Sequence, residues 1–237
     1  MNRRIFALAL AATAAFPAMA VAADNPPPRI VVMGEGEATV APDMALLSLS
    51  VMREAPTARD ALTANNEAMA AVIAAMKELG IEPRDLQTSG IQISPRYDYI
   101  NKPDGTQEAK LAAYQVTNTI SIRVRDLAKT GEAIDKAVSL GVNQGGGISF
   151  VNENPAATIT EARKRAVQDA MAKAKTLAEA AGVQIGSILE ISEQSYSPAP
   201  APFMYKALPE DAAAAVPVEA GENAYKIQVN VTFELKD

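Results

Sequence analysis

The chain has 237 residues, with 22 Lys+Arg against 28 Asp+Glu, no His, no Cys, no Trp and a hydrophobic fraction of 49%. That size and balance fit a globular chain of one or at most two domains with a substantial core. The missing residue types exclude Ser-His-Asp and Cys-His catalysis, thiol redox chemistry and the usual structural zinc sites, so any catalysis would have to run on carboxylates, Lys, Tyr or Ser/Thr.

Residues 1–23 have the layout of a secretory signal peptide: Met1-Asn-Arg-Arg4 is a positive start, Ile5 to Ala15 an apolar run, and Ala18-Met-Ala20 a small-residue cleavage pattern. An uncleaved anchor is the competing reading, disfavoured by Pro17 and the weak hydrophobicity of an Ala-rich run. Removing Arg3 and Arg4 leaves 20 basic and 28 acidic side chains, a formal charge of −8. Such a surface repels nucleic acid and anionic lipid. No later stretch approaches a membrane span. The expected product is a soluble exported protein without disulfides, residues 24–237 forming one domain.

In chain order, Arg29 to Glu37 reads as a first strand containing Gly34 and Gly36, and Leu47, Leu49 and Val51 alternate with Ser48 and Ser50 in a second. Between Thr57 and Gly80 the period becomes helical, with Leu62, Met69, Val72, Ile73, Met76 and Leu79 on one face, Thr57 as N-cap and Gly80 as C′ residue. Ile91 and Ile93 mark a third strand running toward Tyr97 and Tyr99, followed by a polar loop from Asn101 to Lys110. Tyr114, Val116, Ile120, Ile122 and Val124 alternate with polar residues in a fourth strand, whose apolar face only Asn118 interrupts. A second helix follows from about Leu127 to Leu140, closed by Gly141. Gly145-Gly-Gly147 reads as a turn and Ile148 to Phe150 as a short strand. The third helix starts at Asn154-Pro155 and ends at Gly182, its buried side Ala-rich with Ile159, Val167, Met171 and Leu177. Further strands are expected at Ser187 to Glu193 and Tyr225 to Lys236.

Polar residues at every second strand position argue against a parallel sheet covered on both faces. The expected architecture is therefore α+β: an antiparallel or mixed sheet of about seven strands with three helices packed on one face. Residues 195–221, rich in Pro and Ala, form either a flexible loop or an intersubunit arm, in which Phe203, Met204 and Tyr205 are the candidate oligomer contact.

Candidate chemistry is sparse. Glu35 and Glu37 share a strand face at ~7 Å, which would suit paired carboxylates but equally two exposed acids at a strand edge. Gly34-x-Gly36 lacks the third glycine and the helix of a dinucleotide fingerprint. Glu161 with Arg165, and Asp169 with Lys173, form i,i+4 pairs of a solvated helix face rather than a nucleic-acid site. No catalytic residue, cofactor site or metal site is assigned.

Gly34-Glu-Gly36 with Pro42-Asp43, Asn65-Asn66, Asp85-Leu-Gln-Thr88, Pro95-x-Tyr97, Tyr114, Gly141 with Ile148-x-Phe150, and Glu161-Ala-Arg-Lys-Arg-Ala166 ending Ala180-Ala-Gly182 together resemble the SIMPL-domain family over nearly the whole mature chain. The resemblance implies an exported α+β protein with no established catalytic residues, loosely linked to oxidative-stress defence. Ala64-Asn-Asn-Glu-Ala-Met69, Gly141-Val-Asn-Gln-Gly-Gly146 and Ala220-Gly-Glu-Asn223 resemble one branch in particular, which implies self-assembly into a large homo-oligomer. The leading expectation is a non-enzymatic, homo-oligomeric scaffold or envelope-protective protein. The alternative is a periplasmic binding module for a small molecule, peptide or client protein, using the Thr/Ser/Gln-rich sheet face.

Overall fold

A computed structural model describes residues 27–194, 201–202 and 216–236. The signal segment 1–23 lies outside the described residues, as do Phe203, Met204 and Tyr205 and most of the Pro/Ala-rich stretch. Seven long antiparallel strands and three helices give the expected α+β class, with the strands divided between two sheets. Strands β1 (Arg29–Val40), β8 (Asn223–Lys236) and β6 (Gln184–Glu193) form the first sheet in that order, and the two-residue β7 (Ala201–Pro202) pairs with β8. Strands β3 (Leu86–Asn101), β4 (Gln107–Val124), β2 (Met44–Ala55) and β5 (Gln144–Val151) form the second. Helix α3 (Ala156–Ala181) covers one face of the first sheet, while α1 (Ala58–Glu78) and α2 (Thr130–Ser139) cover one face of the second. Each layer thus keeps its helices on one side, as the alternation requires.

The caps follow local chemistry. Thr57 has extended backbone and its hydroxyl accepts the Asp60 N–H at 3.1 Å, while Gly80 at φ +87° lets its own N–H and that of Ile81 bond back to Lys77 and Met76 carbonyls. The core under α1 joins Leu47, Val51, Val72, Met76, Ile120 and Ile122. Asn65, fully buried in α1, donates through Nδ2 to the carbonyls of Val51 at 2.7 Å and Val116 at 3.1 Å, bridging β2 and β4.

The other layer is built on small residues. Ala162, Ala166, Ala170, Ala174 and Ala178 recur every four residues and are at most 3% exposed, forming one stripe down α3. Gly34 and Gly36 lie two apart on β1, so both face that stripe. A Cβ on Gly34 would sit 2.0 Å from the Ala166 carbonyl oxygen, and one on Gly36 would sit 2.1 Å from that of Ala162. Backbone therefore meets backbone here. The stripe is narrower than expected: Met171 and Leu177, assigned to the buried side from sequence, are 50% and 52% exposed because the close approach leaves room only for methyl groups. On either flank of α3 this leaves an apolar groove, one of about 500 Å³ beside Val183, Ile185 and Phe233 and one of about 570 Å³ beside Val31 and Met33.

Two local expectations change. Only residues 102–106 of the polar segment Asn101 to Lys110 leave the ladder: Pro103 and Asp104 make a tight turn closed by Gly105 N–H to Lys102 O at 3.0 Å, Gly105 takes φ +81°, and pairing resumes at Gln107. Gly145 to Gly147 lie inside β5, where a bulge opposite Ser48 and Leu49 absorbs them.

Replacing Gly34 by Ala should force α3 away from β1. Overpacking of this kind costs about 3 kcal/mol, a fall in Tm of ~6–12 °C for a domain of this size. Gly145→Ala, where nothing lies within 4 Å of the added methyl, should change Tm by no more than a degree or two. Thermal denaturation of both variants checks the difference; equal shifts would refute the close approach.

Candidate functional site

The two layers meet at a polar joint where β1 passes into β2 and β5 passes into α3. Asn152 is its hub: Nδ2 donates to the Ala41 carbonyl at 2.7 Å, and Oδ1 accepts from Asn223 Nδ2 at 2.9 Å and the Tyr225 hydroxyl at 3.0 Å. Asp43 accepts the Glu153 N–H at 2.8 Å and donates its own N–H to Val151 O. Burial, with the nearby Asp43 carboxylate, raises the Tyr225 hydroxyl above its usual range, keeping it protonated as the donor.

Beside the joint, Arg125 forks onto Asp85, Nε to Oδ2 at 2.8 Å and Nη2 to Oδ1 at 3.1 Å, and its remaining Nη1 reaches Glu153. The Asp85 side chain is only 3% exposed. Its hydrogen bonds from Arg125, reinforced by the Arg125, Arg84 and Arg123 charges, hold the carboxyl below the usual range against the opposing effect of burial. Arg125 fixes η1, the single 3₁₀ turn Pro83–Asp85 that leads into β3, to the segment leading into α3.

The carboxylates considered for acid/base work have structural partners. Glu35 and Glu37 do share the exposed face of β1, but Glu35 accepts from Gln228 Nε2 at 3.0 Å and Glu37 pairs with Lys226 at 3.1 Å, each the cross-strand neighbour on β8. The i,i+4 pairs of α3 have a role the sequence reading missed. Arg165 and Asp169 to Lys173 pair as expected, at 3.2 Å to Glu161 and 2.7 Å. They also seal the outer edge of β1: Arg165 donates to Glu37 O at 2.8 Å, Glu35 N–H donates to Asp169 at 2.8 Å, and Lys173 donates to Met33 O at 3.1 Å. Edge-strand groups that would otherwise invite another chain are thereby occupied. The signal was the match between i,i+4 spacing on the helix and i,i+2 spacing on a strand running alongside it.

The distal half of the β3–β4 hairpin is an exposed apolar feature. From Tyr97 to Asn101, paired with Gln107 to Leu111, the two strands project as a ribbon whose residues are exposed on both faces. Tyr97, Tyr99 at 67%, Ile100 and Leu111 all stand in water, with Ile91 and Ile93 exposed nearer the sheet. Tyr97 sits directly opposite Leu111, and Tyr99 follows on the same face. Among the described residues no group of acidic side chains is placed to hold a metal ion, and no helix is long and apolar enough to cross a membrane.

Arg125→Gln should leave Asp85 buried without its partner. A carboxyl held low by its folded surroundings contributes stability at neutral pH and loses it as pH falls below about 4 through the lowered value. The variant should therefore melt well below the parent at pH 7, and the gap should narrow progressively as the pH falls below about 4 and Asp85 takes up its proton. A constant gap across that range, measured by thermal denaturation, would contradict the pairing.

The model of the SIMPL family, described as a protein of unknown function (DUF541), matches residues 30–233. The 26 kDa periplasmic immunogenic protein of Brucella melitensis is 53% identical over 217 residues, 89% of this chain and 86% of that one. The namesake from Brucella abortus gives the same values. The uncharacterized protein YggE of Escherichia coli K12 is 30% identical over 236 residues, 97% of this chain and 93% of that one. With its family model matched from β1 to β8, the chain belongs to the SIMPL family.

Proposed function

We propose that this SIMPL protein is an exported, periplasmic, non-enzymatic scaffold or envelope-protective protein that works as a homo-oligomer, with oxidative-stress defence as the context the family resemblance suggests. The β3–β4 ribbon carries the reading. A two-stranded ribbon open on both faces is marginally stable alone, and clustered Tyr, Ile and Leu side chains on it favour a cover. A second copy supplies that cover without any further partner, and closed symmetric assembly is the common outcome for soluble chains. The carboxylates that could have served as acid and base are engaged in cross-strand and interlayer contacts, which supports a role without chemistry of its own. The periplasmic name of the Brucella relatives agrees with the signal-peptide reading.

A binding role is the second reading, favoured by the open face of the second sheet, where Ser48, Ser50, Thr117, Thr119 and Ser121 face away from α1 and α2.

Light scattering coupled to size exclusion tests the first reading on the mature protein. A mass several times that of one chain is expected. Replacing Tyr97, Tyr99 and Leu111 together by Ser should weaken assembly on the order of 100-fold, because each buried side chain contributes roughly 1.5–3 kcal/mol before ordering costs, while circular dichroism stays unchanged. A parent protein that is monomeric at every concentration would refute the proposal.

A further inference from the structure

The open face of the second sheet holds a cavity of about 360 Å³, most of whose lining is polar. Its floor is set by register. Gln87, Ser121, Ser48 and Gly147 lie side by side across β3, β4, β2 and β5, and Arg123, Leu46 and Ser149 form the next row. Adjacent strands are ~4.8 Å apart and alternate residues ~7 Å, so both rows fall under one small molecule. Arg84, on η1, closes one side.

Three observations distinguish this cavity from an ordinary polar surface. Arg123 lines it and makes no ion pair or side-chain hydrogen bond among the described residues, whereas the neighbouring Arg125 is fully engaged with Asp85 and Glu153. Asp85, the acid in the wall, has both oxygens committed to Arg125. The opposite wall is backbone: a Cβ on Gly146 would stand 2.8 Å from Ser48 Oγ, so the glycine run keeps the recess open above the serine row. Arg84 pairs with Glu82 at 2.8 Å, which leaves Arg123 as the lining arginine with no ion pair among the described residues.

We propose that this recess binds a small hydrophilic molecule through an oxyanion, a carboxylate or a phosphate, held by the Arg123 guanidinium with Ser121, Ser48 and Ser149 hydroxyls and the Gln87 amide completing the shell. A guanidinium matches an oxyanion bidentately, and the hydroxyls can donate to it or accept from neighbouring hydroxyl groups of the ligand. The volume is at the small end of ligand pockets, which suits an organic acid or a monophosphate rather than a nucleotide or a peptide. The mature chain carries a formal charge of −8, and against that background the Arg123 guanidinium supplies a local counter-charge for an anion. The proposal deepens the binding reading and does not depend on the assembly reading, since the ribbon is not part of the recess.

The test is amide chemical-shift titration of the mature protein with malate and, separately, with inorganic phosphate, each matched in ionic strength by sodium chloride. Saturable shifts at Gly146, Gly147 and Ser121 are expected with at least one anion and none with chloride; which anion binds tighter separates carboxylate from phosphate. Arg123→Gln should weaken the binding tenfold or more and Ser121→Ala on the order of fivefold, with both variants melting like the parent. No saturable shift with either anion at tens of millimolar, or shifts as large in Arg123→Gln as in the parent, would overturn the proposal. Scattering mass recorded on the same samples separates this outcome from any change in assembly.

Discussion

Helix α3 rests on β1 through bare backbone, and most of what the molecule exposes follows from that contact. Because Gly34 and Gly36 have no side chains and the facing stripe is alanine, helix and strand approach until carbonyl oxygens fill the space where a Cβ would stand. The approach brings Arg165, Asp169 and Lys173 over the strand's outer edge, where they bond its free backbone groups. It also narrows the buried stripe so that Met171 and Leu177 are left on the flanks. The first sheet is consequently sealed along β1 and open along β6, whose residues are mostly exposed.

The second sheet has the complementary arrangement. Its helices bury a conventional aliphatic face built from Leu47, Val72, Met76 and Ile122, and the opposite face carries rows of Ser, Thr and Gln. The joint at Asn152 locks one layer to the other with fixed hydrogen bonds, and Arg125 adds a charged clamp beside it. Among the described residues, the open strand face, the ribbon and the recess are what the fold presents to its surroundings.

Strand and helix identities were legible because their signals are local. Val229, Val231 and Phe233 alternate with polar residues, and Thr57 and Gly80 carry the chemistry of the caps they form. The division into two sheets was not, since strand pairing joins residues far apart in the chain and alternation alone does not say which strands are neighbours. The ribbon reads partly as loop for a physical reason: strands exposed on both faces carry no period-2 burial pattern, and Gln107 to Lys110 are uniformly exposed. Gly34-x-Gly36 lies inside β1, where its i,i+2 spacing puts two bare positions on one face, and an alanine every fourth residue of α3 meets them. In sequence Arg123 is one polar position between Ile122 and Val124; register is what sets it beside a serine row and a glycine wall.

In the proposed assembly the exposed ribbon is covered by another copy of the chain. Hydrogen exchange of the backbone amides from Tyr97 to Leu111, measured over a range of protein concentrations, tests it most directly. An uncovered ribbon opens readily and exchanges fast, whereas one buried between copies is protected by the free energy of assembly. The account predicts protection of these amides that rises with concentration while the α1 core stays uniformly protected; fast exchange at every concentration would contradict it.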